Sequence, residues 1–152
     1  MLAPGDPLPP ARVWAAAGAP ATTLVSAAGD GLALLCFYPF DWSPGCTSEL
    51  RLLKERRADL ETAGVRPLGI SVDSPWSHRA FAEALALDGL ELLSDPLLEA
   101  ARGCGVAAPD EPPRALRSAL LVRDGTVVAS WMLGAELPDV DAVIAAASSS
   151  SP

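Results

Sequence analysis

Cys46 stands where a thiol could act as a nucleophile, in the stretch FYPFDWSPGCTSEL at residues 37–50. An apolar, strand-like run precedes it and a helix-like run follows. Ser43 is a favoured N-cap residue and Pro44 suits the first helical position, so Cys46 falls in the first turn of the helix. Backbone N–H groups there lack partners within the helix and the dipole is positive, which stabilises a thiolate. The pattern predicts a reactive cysteine, with a small apolar packing residue as the alternative.

The composition of the chain limits the classes of function that it can have. Its 152 residues, half of them hydrophobic, suffice for one domain with a substantial core but not for two. The 19 acidic and 11 basic side chains give a formal charge of -8, which disfavours nucleic acid and anionic membrane surfaces as partners. Residues 1–10 hold no basic region followed by an apolar stretch, and no run of about 18 apolar residues occurs. We expect a soluble, cytoplasmic protein.

The cysteines of the chain do not form a familiar structural pattern. There are three, Cys36, Cys46 and Cys104, with no C-x-x-C pair and a single histidine. Neither a disulfide scaffold nor a zinc site is indicated, and an odd number leaves at least one thiol free. Cys36 lies inside the apolar run before the site and is expected in the core.

The elements around Cys46 alternate between strands and helices. GLALLCFYPF at 31–40 is a continuous apolar run closed by Pro39, which is typical of a strand buried on both faces. Further strands are predicted at 65–73, at 90–93 and on both sides of Asp124-Gly125, a hairpin signal. Helices are predicted at 46–63, 75–87, 96–101 and 137–147.

This order of elements predicts an α/β protein. The first two strand–helix units give a parallel pair with a right-handed crossover, and the hairpin and the last helix follow. The order is that of a thioredoxin-like fold, with a central mixed β-sheet flanked by helices. An extended N-terminal arm, rich in Pro, Ala and Gly, precedes it over residues 1–30. We expect a single domain at 1–147 and a disordered tail at 148–152.

Three residues of the loop carry a resemblance to a known family. Pro39, Ser43 and Cys46 form P-x-x-x-S-x-x-C, which resembles the peroxiredoxin active-site motif P-x-x-x-(T/S)-x-x-C. The element order is also that of this family, so the resemblance extends from Gly5 to about Ala147. Within the alkyl hydroperoxide reductase/thiol-specific antioxidant type, the chain is most similar to the peroxiredoxin Q/bacterioferritin-comigratory protein and alkyl hydroperoxide reductase E-like groups.

The resemblance implies a thiol-dependent peroxidase without a metal or an organic cofactor. Cys46 would be the peroxidatic thiolate, which attacks a peroxide oxygen and becomes a sulfenic acid. Ser43 would hydrogen-bond the peroxide, and Pro39 would shield the sulfur from water. The implied substrates are hydrogen peroxide and small organic hydroperoxides.

Three further side chains are candidates for this site. The family places an arginine just before a later strand, and Arg117 directly adjoins the apolar run there, with Arg114 as the alternative. Glu49 matches a glutamate often found in relatives, and it either supports the site or faces solvent. Trp42 either lines the peroxide pocket or packs at the loop.

The sulfenic acid must be reduced by a second thiol. The peroxiredoxin Q group often has a resolving cysteine five residues after the peroxidatic one, but this position is Arg51. Cys104, between two glycines, is either a resolving cysteine or a structural residue. We expect a one-cysteine mechanism with an external reductant: a thioredoxin-, glutaredoxin- or mycoredoxin-like protein, or a low-molecular-weight thiol. The resemblance also makes a homodimer plausible.

The sequence offers three alternatives to a peroxidase. His78, the one histidine, would suit Cys-His hydrolase chemistry, but it lies early in an amphipathic helix, where packing or capping is expected. The cysteine phosphatase loop has C-x5-R, whereas Cys46 to Arg51 is C-x4-R. The remaining alternative is a peroxide-sensing or redox-inactive thioredoxin-like binding module.

Overall fold

The structure, a computed structural model, describes residues 1–87 and 89–149. Within them the strands are β1 (Arg12–Val13), β2 (Thr22–Thr23), β3 (Leu32–Phe37), β4 (Val65–Ser71), β5 (Glu91–Ser94), β6 (Ser118–Arg123) and β7 (Thr126–Met132). The helices are α1 (Leu24–Ala28), α2 (Pro44–Glu55), α3 (Arg57–Thr62), α4 (Pro75–Leu85), α5 (Glu99–Gly103) and α6 (Val140–Ser149). None of the helices within these ranges has the length and hydrophobicity that a bilayer crossing requires.

Five of the strands form the central sheet, in the order β5-β4-β3-β6-β7. β3 pairs in parallel with β4, and β4 in parallel with β5. β6 runs antiparallel to both β3 and β7. The central mixed sheet flanked by helices is therefore as predicted from the sequence.

β3 lies at the centre of the sheet and is buried along its whole length. Its alternate residues enter two separate hydrophobic clusters, as the two-residue period of a strand requires. Leu35 and Phe37 belong to the cluster that contains Cys104, and we call this side the Cys104 face. Leu34 and Cys36 belong to the cluster that contains Cys46, and we call that side the Cys46 face. The predicted two-sided burial of this strand is confirmed.

The hairpin predicted at Asp124-Gly125 joins β6 to β7. Asp124 has φ of 50° and Gly125 has φ of 82°. Two successive positive φ values are what a two-residue hairpin turn of type I′ needs, and Asp-Gly adopts them at low cost. β7 runs antiparallel to β6 on one side, and β3 pairs with β6 on the other side. The start of β6 therefore lies beside the end of β3.

Two predicted elements are wrong in part. The single helix expected at 46–63 begins at Pro44 and is broken at Arg56, where φ is -96° and ψ is 8°, so that α3 packs along β4. The extended arm expected at 1–30 contains a short hairpin, β1 with β2, and the helix α1. Thr23 caps α1 by accepting a hydrogen bond from the Ser26 amide, but five helical residues are too few for a periodic signal.

The predicted tail begins inside a helix. α6 continues through Ser149, so residues 148 and 149 are helical. Residues 150–152, the rest of the expected tail, lie outside the described residues. The single domain over 1–147 stays a prediction.

Candidate active site

The loop between β3 and α2 presents Cys46 in the way the N-cap pattern predicts. Ser43 is extended, with φ of -67° and ψ of 147°, and Pro44 occupies the first helical position. The Ser43 hydroxyl accepts a hydrogen bond of 3.4 Å from the Cys46 amide and donates one of 3.2 Å to the Phe40 carbonyl. Cys46 is therefore the third residue of a twelve-residue helix, and its side chain is fully buried.

Arg117 reaches Cys46 from the neighbouring strand. It directly precedes β6, and the pairing of Ser118 with Phe37 brings it beside the end of β3. Its Nη2 donates to Cys46 Sγ at 3.5 Å, and its Nε donates to the Gly134 carbonyl at 3.3 Å. The structure thus brings together Cys46 and Arg117, the two predicted site residues that lie 71 positions apart in the sequence.

Glu49 faces the site and not solvent. It lies three residues after Cys46, on the same side of α2, and it is fully buried. Its Oε1 accepts a hydrogen bond of 2.6 Å from Arg117 Nη1. Burial raises the pKa of Glu49 to about 7, and the arginine opposes this rise only in part. The other carboxylate oxygen, Oε2, is buried and has no hydrogen-bond partner among residues 1–87 and 89–149, which is the local reason why the charged form is costly.

The guanidinium of Arg117 stays charged in this setting. Burial lowers its pKa, but the neighbouring Glu49 and Cys46 raise it more, and the pKa ends above its ordinary value. A permanent cation beside the sulfur, together with the positive end of α2, stabilises a thiolate and any negative charge that develops on a bound oxygen.

Gly45 is a site residue that the sequence analysis did not single out. A Cβ at this position would lie 2.9 Å from Arg117 Nη2, so the absence of a side chain lets the guanidinium approach the first turn of α2. The available signal is the glycine itself, because glycine inside a helix costs about 1 kcal/mol relative to alanine and calls for a compensating reason.

The remaining candidates lie around the site rather than at the sulfur. Arg114 bonds the Asp110 and Pro112 carbonyls in its own loop, so Arg117 alone of the two candidates contacts Cys46. Trp42 is 54% exposed and packs on Phe81, with ring centroids 5.1 Å apart. Pro39 is half-buried in the loop after β3.

A family model described as the AhpC/TSA family matches residues 4–130. The chain belongs to the AhpC/TSA family. It is 32% identical over 104 residues to the 1-Cys peroxiredoxin PER1 of Zea mays, which covers 59% of this chain and 45% of that protein. It is 40% identical over 72 residues to the chloroplastic peroxiredoxin Q of Gentiana triflora. This match covers 47% of this chain and 33% of that protein. The matched regions thus span less than half the length of either of these two relatives.

Solved structures share the fold of this AhpC/TSA chain. Reduced Prx3 from Vibrio vulnificus in complex with H2O2 superposes with a TM-score of 0.87 at 20% identity, covering 97% of each chain. BcpB from Mycobacterium tuberculosis superposes with a TM-score of 0.85 at 22% identity, covering 100% of each chain. The thioredoxin-like fold and the resemblance to peroxiredoxins, both predicted from the sequence, are confirmed.

The other two cysteines of this AhpC/TSA chain occupy different surroundings. Cys104 is fully buried on the Cys104 face, across the sheet from Cys46. Burial, aided by Asp95, raises its pKa to about 12. Cys36 is buried in the central strand, where burial raises its pKa well above the ordinary value. The predicted core position of Cys36 is therefore observed.

His78 makes no hydrogen bond to Cys46 in the described structure, so the Cys-His pair that hydrolase chemistry needs is not formed. Its ring is buried and bonds Asp41 and the Leu93 carbonyl. The described residues also contain no group of three or more side chains placed to hold a metal ion.

Proposed function

We propose that the protein is a thiol-dependent peroxidase of the peroxiredoxin type, in which Cys46 reduces hydrogen peroxide and small organic hydroperoxides. The observation that carries this proposal is the contact of 3.5 Å between Arg117 Nη2 and Cys46 Sγ, in the first turn of a helix. The names of the maize and gentian relatives, both peroxiredoxins, support it.

In the proposed reaction the Cys46 thiolate attacks one oxygen of the peroxide. A sulfur–oxygen bond forms while the oxygen–oxygen bond breaks, so the sulfur is oxidised by two electrons and the peroxide is reduced. The leaving oxygen takes the bonding pair and the proton of the attacked oxygen, and it departs as water or as an alcohol. Arg117 Nη2, 3.5 Å from the sulfur, is a fixed donor for the oxygen on which negative charge develops.

Ser43 has a defined capacity to bind the substrate. Its hydroxyl already donates to the Phe40 carbonyl and accepts from the Cys46 amide. A hydroxyl has two acceptor lone pairs, so one remains for the O–H of a peroxide. We assign Ser43 this acceptor role, and we assign Pro39, half-buried beside it, the role of excluding water.

The thiol arrangement supports a one-cysteine cycle. Arg51 stands exposed where a resolving cysteine is common, Cys104 lies across the sheet, and Cys36 is held within β3. The sulfenic acid is then reduced by an external thiol: a thioredoxin-, glutaredoxin- or mycoredoxin-like protein, or a low-molecular-weight thiol. We further propose a cytoplasmic location, in keeping with three free cysteines, and a homodimer.

The test is stopped-flow tryptophan fluorescence of the fully reduced protein mixed with hydrogen peroxide, with Trp42 as the reporter near the site. We expect a fast second-order phase that is lost in Cys46→Ser and kept in the matched control Cys104→Ser. Intact mass should show the gain of one oxygen; the loss of two hydrogens would instead indicate an internal disulfide. A silent trace with three reduced thiols would overturn the peroxidase, and oxidation without turnover by any thiol reductant would favour a peroxide sensor.

A further inference from the structure

The loop that carries Ser43 and Pro39 is anchored by a buried polar cluster around Asp41. The Asp41 carboxylate accepts hydrogen bonds from the Tyr38 hydroxyl at 2.6 Å and from the Ser77 hydroxyl at 2.8 Å. The amide of Asp41 donates to Asp73 at 2.7 Å. Asp41 is 5% exposed, so these bonds replace water almost completely.

The fourth partner of Asp41 is His78, and both of its ring nitrogens face acceptors. Nε2 lies 3.0 Å from the Leu93 carbonyl, which can only accept, so this nitrogen carries a proton. Nδ1 lies 2.8 Å from Asp41 Oδ2, on a carboxylate that already accepts two hydroxyl hydrogens. An ionised Asp41 requires a proton on Nδ1 as well, and the ring is then an imidazolium.

α4 holds the loop at a second point, three residues farther along the same helix face. Phe81 packs against the Trp42 ring, with centroids 5.1 Å apart. Trp42 has φ of 73°, in the left-handed region that bulky side chains rarely adopt and that costs about 1 to 3 kcal/mol. The contacts of His78 and Phe81 on either side of this peptide keep the loop in that conformation.

We infer that His78 is a positioning residue for the reaction of Cys46: its imidazolium binds Asp41 and thereby fixes the loop at residues 39–43 that carries Pro39 and Ser43. This inference rests on the proposed peroxidase function. His78 itself does not touch the reacting atoms, and it acts through Asp41 alone.

The charged and titratable side chains around His78 define what its bond to Asp41 does. Asp41 faces it from the loop after β3, and Asp73 lies behind Asp41 in the loop after β4. Burial raises the pKa of Tyr38 well above its ordinary value, so its hydroxyl stays neutral, and the Arg79 side chain is 73% exposed and pairs outward with Glu83. His78 and Ser77 therefore tie Asp41 to α4.

The Tyr38 hydroxyl joins His78 on the same carboxylate. It donates to Asp41 at 2.6 Å and lies farther, at 3.4 Å, from His78 Nδ1. Loss of the His78 donor should therefore loosen the loop, and peroxide reduction should slow with it.

The first experiment observes the ring nitrogens of His78 directly by NMR in the reduced wild-type protein. His78 is the one histidine of the chain, so its signals need no assignment. We expect both nitrogens to carry a proton, because each faces an acceptor. A neutral tautomer at neutral pH would overturn the inference.

The second experiment compares two substitutions at the same position. His78→Asn places an amide donor near Nδ1 and so keeps the bond to Asp41, whereas His78→Gln places one near Nε2 and keeps only the bond to Leu93. We expect the Asn variant to react with peroxide at least about tenfold faster than the Gln variant, since small misplacements of a reacting group cost this much or more.

Controls separate this inference from a loss of stability and from the proposed function. Asp95→Asn changes a buried aspartate that caps α5 away from the loop, and it should leave the peroxide rate within about twofold of wild type. Circular dichroism and urea unfolding report whether each variant is folded. Equal rates for the folded Asn and Gln variants would overturn the positioning role while the peroxidase stands. No peroxide reaction in the wild type would overturn both.

Discussion

Cys46 and Cys104 are both free and fully buried, yet they sit at opposite kinds of helix end. Cys46 is the third residue of α2, with Arg117 at its sulfur. Cys104 is the C-cap of α5, where burial and Asp95 raise its pKa and the N-terminal ammonium lowers it. One sulfur therefore lies at the start of a helix beside Arg117, and the other at the end of a helix near a carboxylate.

The difference shows that burial alone does not decide whether a thiol reacts. Burial raises the pKa of Cys104 to about 12, and Asp95 adds to the rise. Cys46 is equally buried, but it lies at the N-terminus of α2, whereas Cys104 lies at the C-terminus of α5. The N-terminus of a helix stabilises negative charge. In the proposed reaction, the position at a helix start beside Arg117 distinguishes the nucleophile from the core cysteine.

Removing the cation should make the surroundings of Cys46 more like those of Cys104. We expect Arg117→Ala to lower the second-order rate with hydrogen peroxide by about 10²–10³-fold, the usual effect of losing one fixed donor to a developing charge. Stopped-flow fluorescence measures the rate, with Arg114→Ala as the matched control. Arg117→Lys should recover little, because one ammonium cannot bond Glu49, Gly134 and Cys46 together. An unchanged rate in the Ala variant would mean that Arg117 has no part in the reaction.

Glu49 gives the comparison a dependence on pH. Its folded-state pKa of about 7 lies above its ordinary 4.5, so the folded protein binds more protons than the unfolded chain between these values. Stability should therefore fall as pH rises from about 4.5 to about 7, by roughly 3 kcal/mol at most. Glu49→Gln keeps an acceptor for Arg117 and removes the titration, so this decline should disappear.

The measurement is the free energy of urea unfolding across this pH range for the wild type and for Glu49→Gln. The exposed residue Glu136 provides the control, Glu136→Gln, for the same chemical change outside the site. Parallel curves for the wild type and the Glu49 variant would show that burial does not hold this carboxyl protonated.

The smallest effect is expected at Gly45. Gly45→Ala places a Cβ 2.9 Å from Arg117 Nη2, and the flexible end of the arginine can move aside by a few tenths of an ångström. We expect the peroxide rate to fall by a factor of about three to ten, while stability changes by less than about 1 kcal/mol, because alanine favours the helix. Ser48→Ala, at an exposed position of the same helix, controls for helix propensity. A wild-type rate in Gly45→Ala would show that the guanidinium needs no such approach.

Local patterns in the sequence predicted much of the architecture and the position of Cys46 at the start of a helix. The apolar run gave β3, the Asp-Gly pair gave the hairpin, and Ser43 with Pro44 placed Cys46 in its helical turn, because each signal lies within a few neighbouring residues. Arg117 came from its position before a strand, through the family resemblance.

The features that were missed depend on distant contacts. The bend at Arg56 lets α3 follow β4, and no residue type at the bend announces it. Gly45 makes sense only with Arg117 beside it, 72 positions later in the sequence. His78 meets Asp41 across 37 positions, so its amphipathic helix could show that it is buried but not what it binds.

In the proposed cycle, the central sheet separates the oxidised sulfur from the second cysteine. Because β3 and its neighbours lie between Cys46 and Cys104, we expect the sulfenic acid at Cys46 not to react with Cys104 within the folded chain. Its reduction then requires another molecule, and the concentration of that molecule sets how long the sulfenic acid survives. Excess peroxide then competes directly with the reductant for the same sulfur. The relative rates of the two reactions decide whether the protein is recycled or irreversibly oxidised.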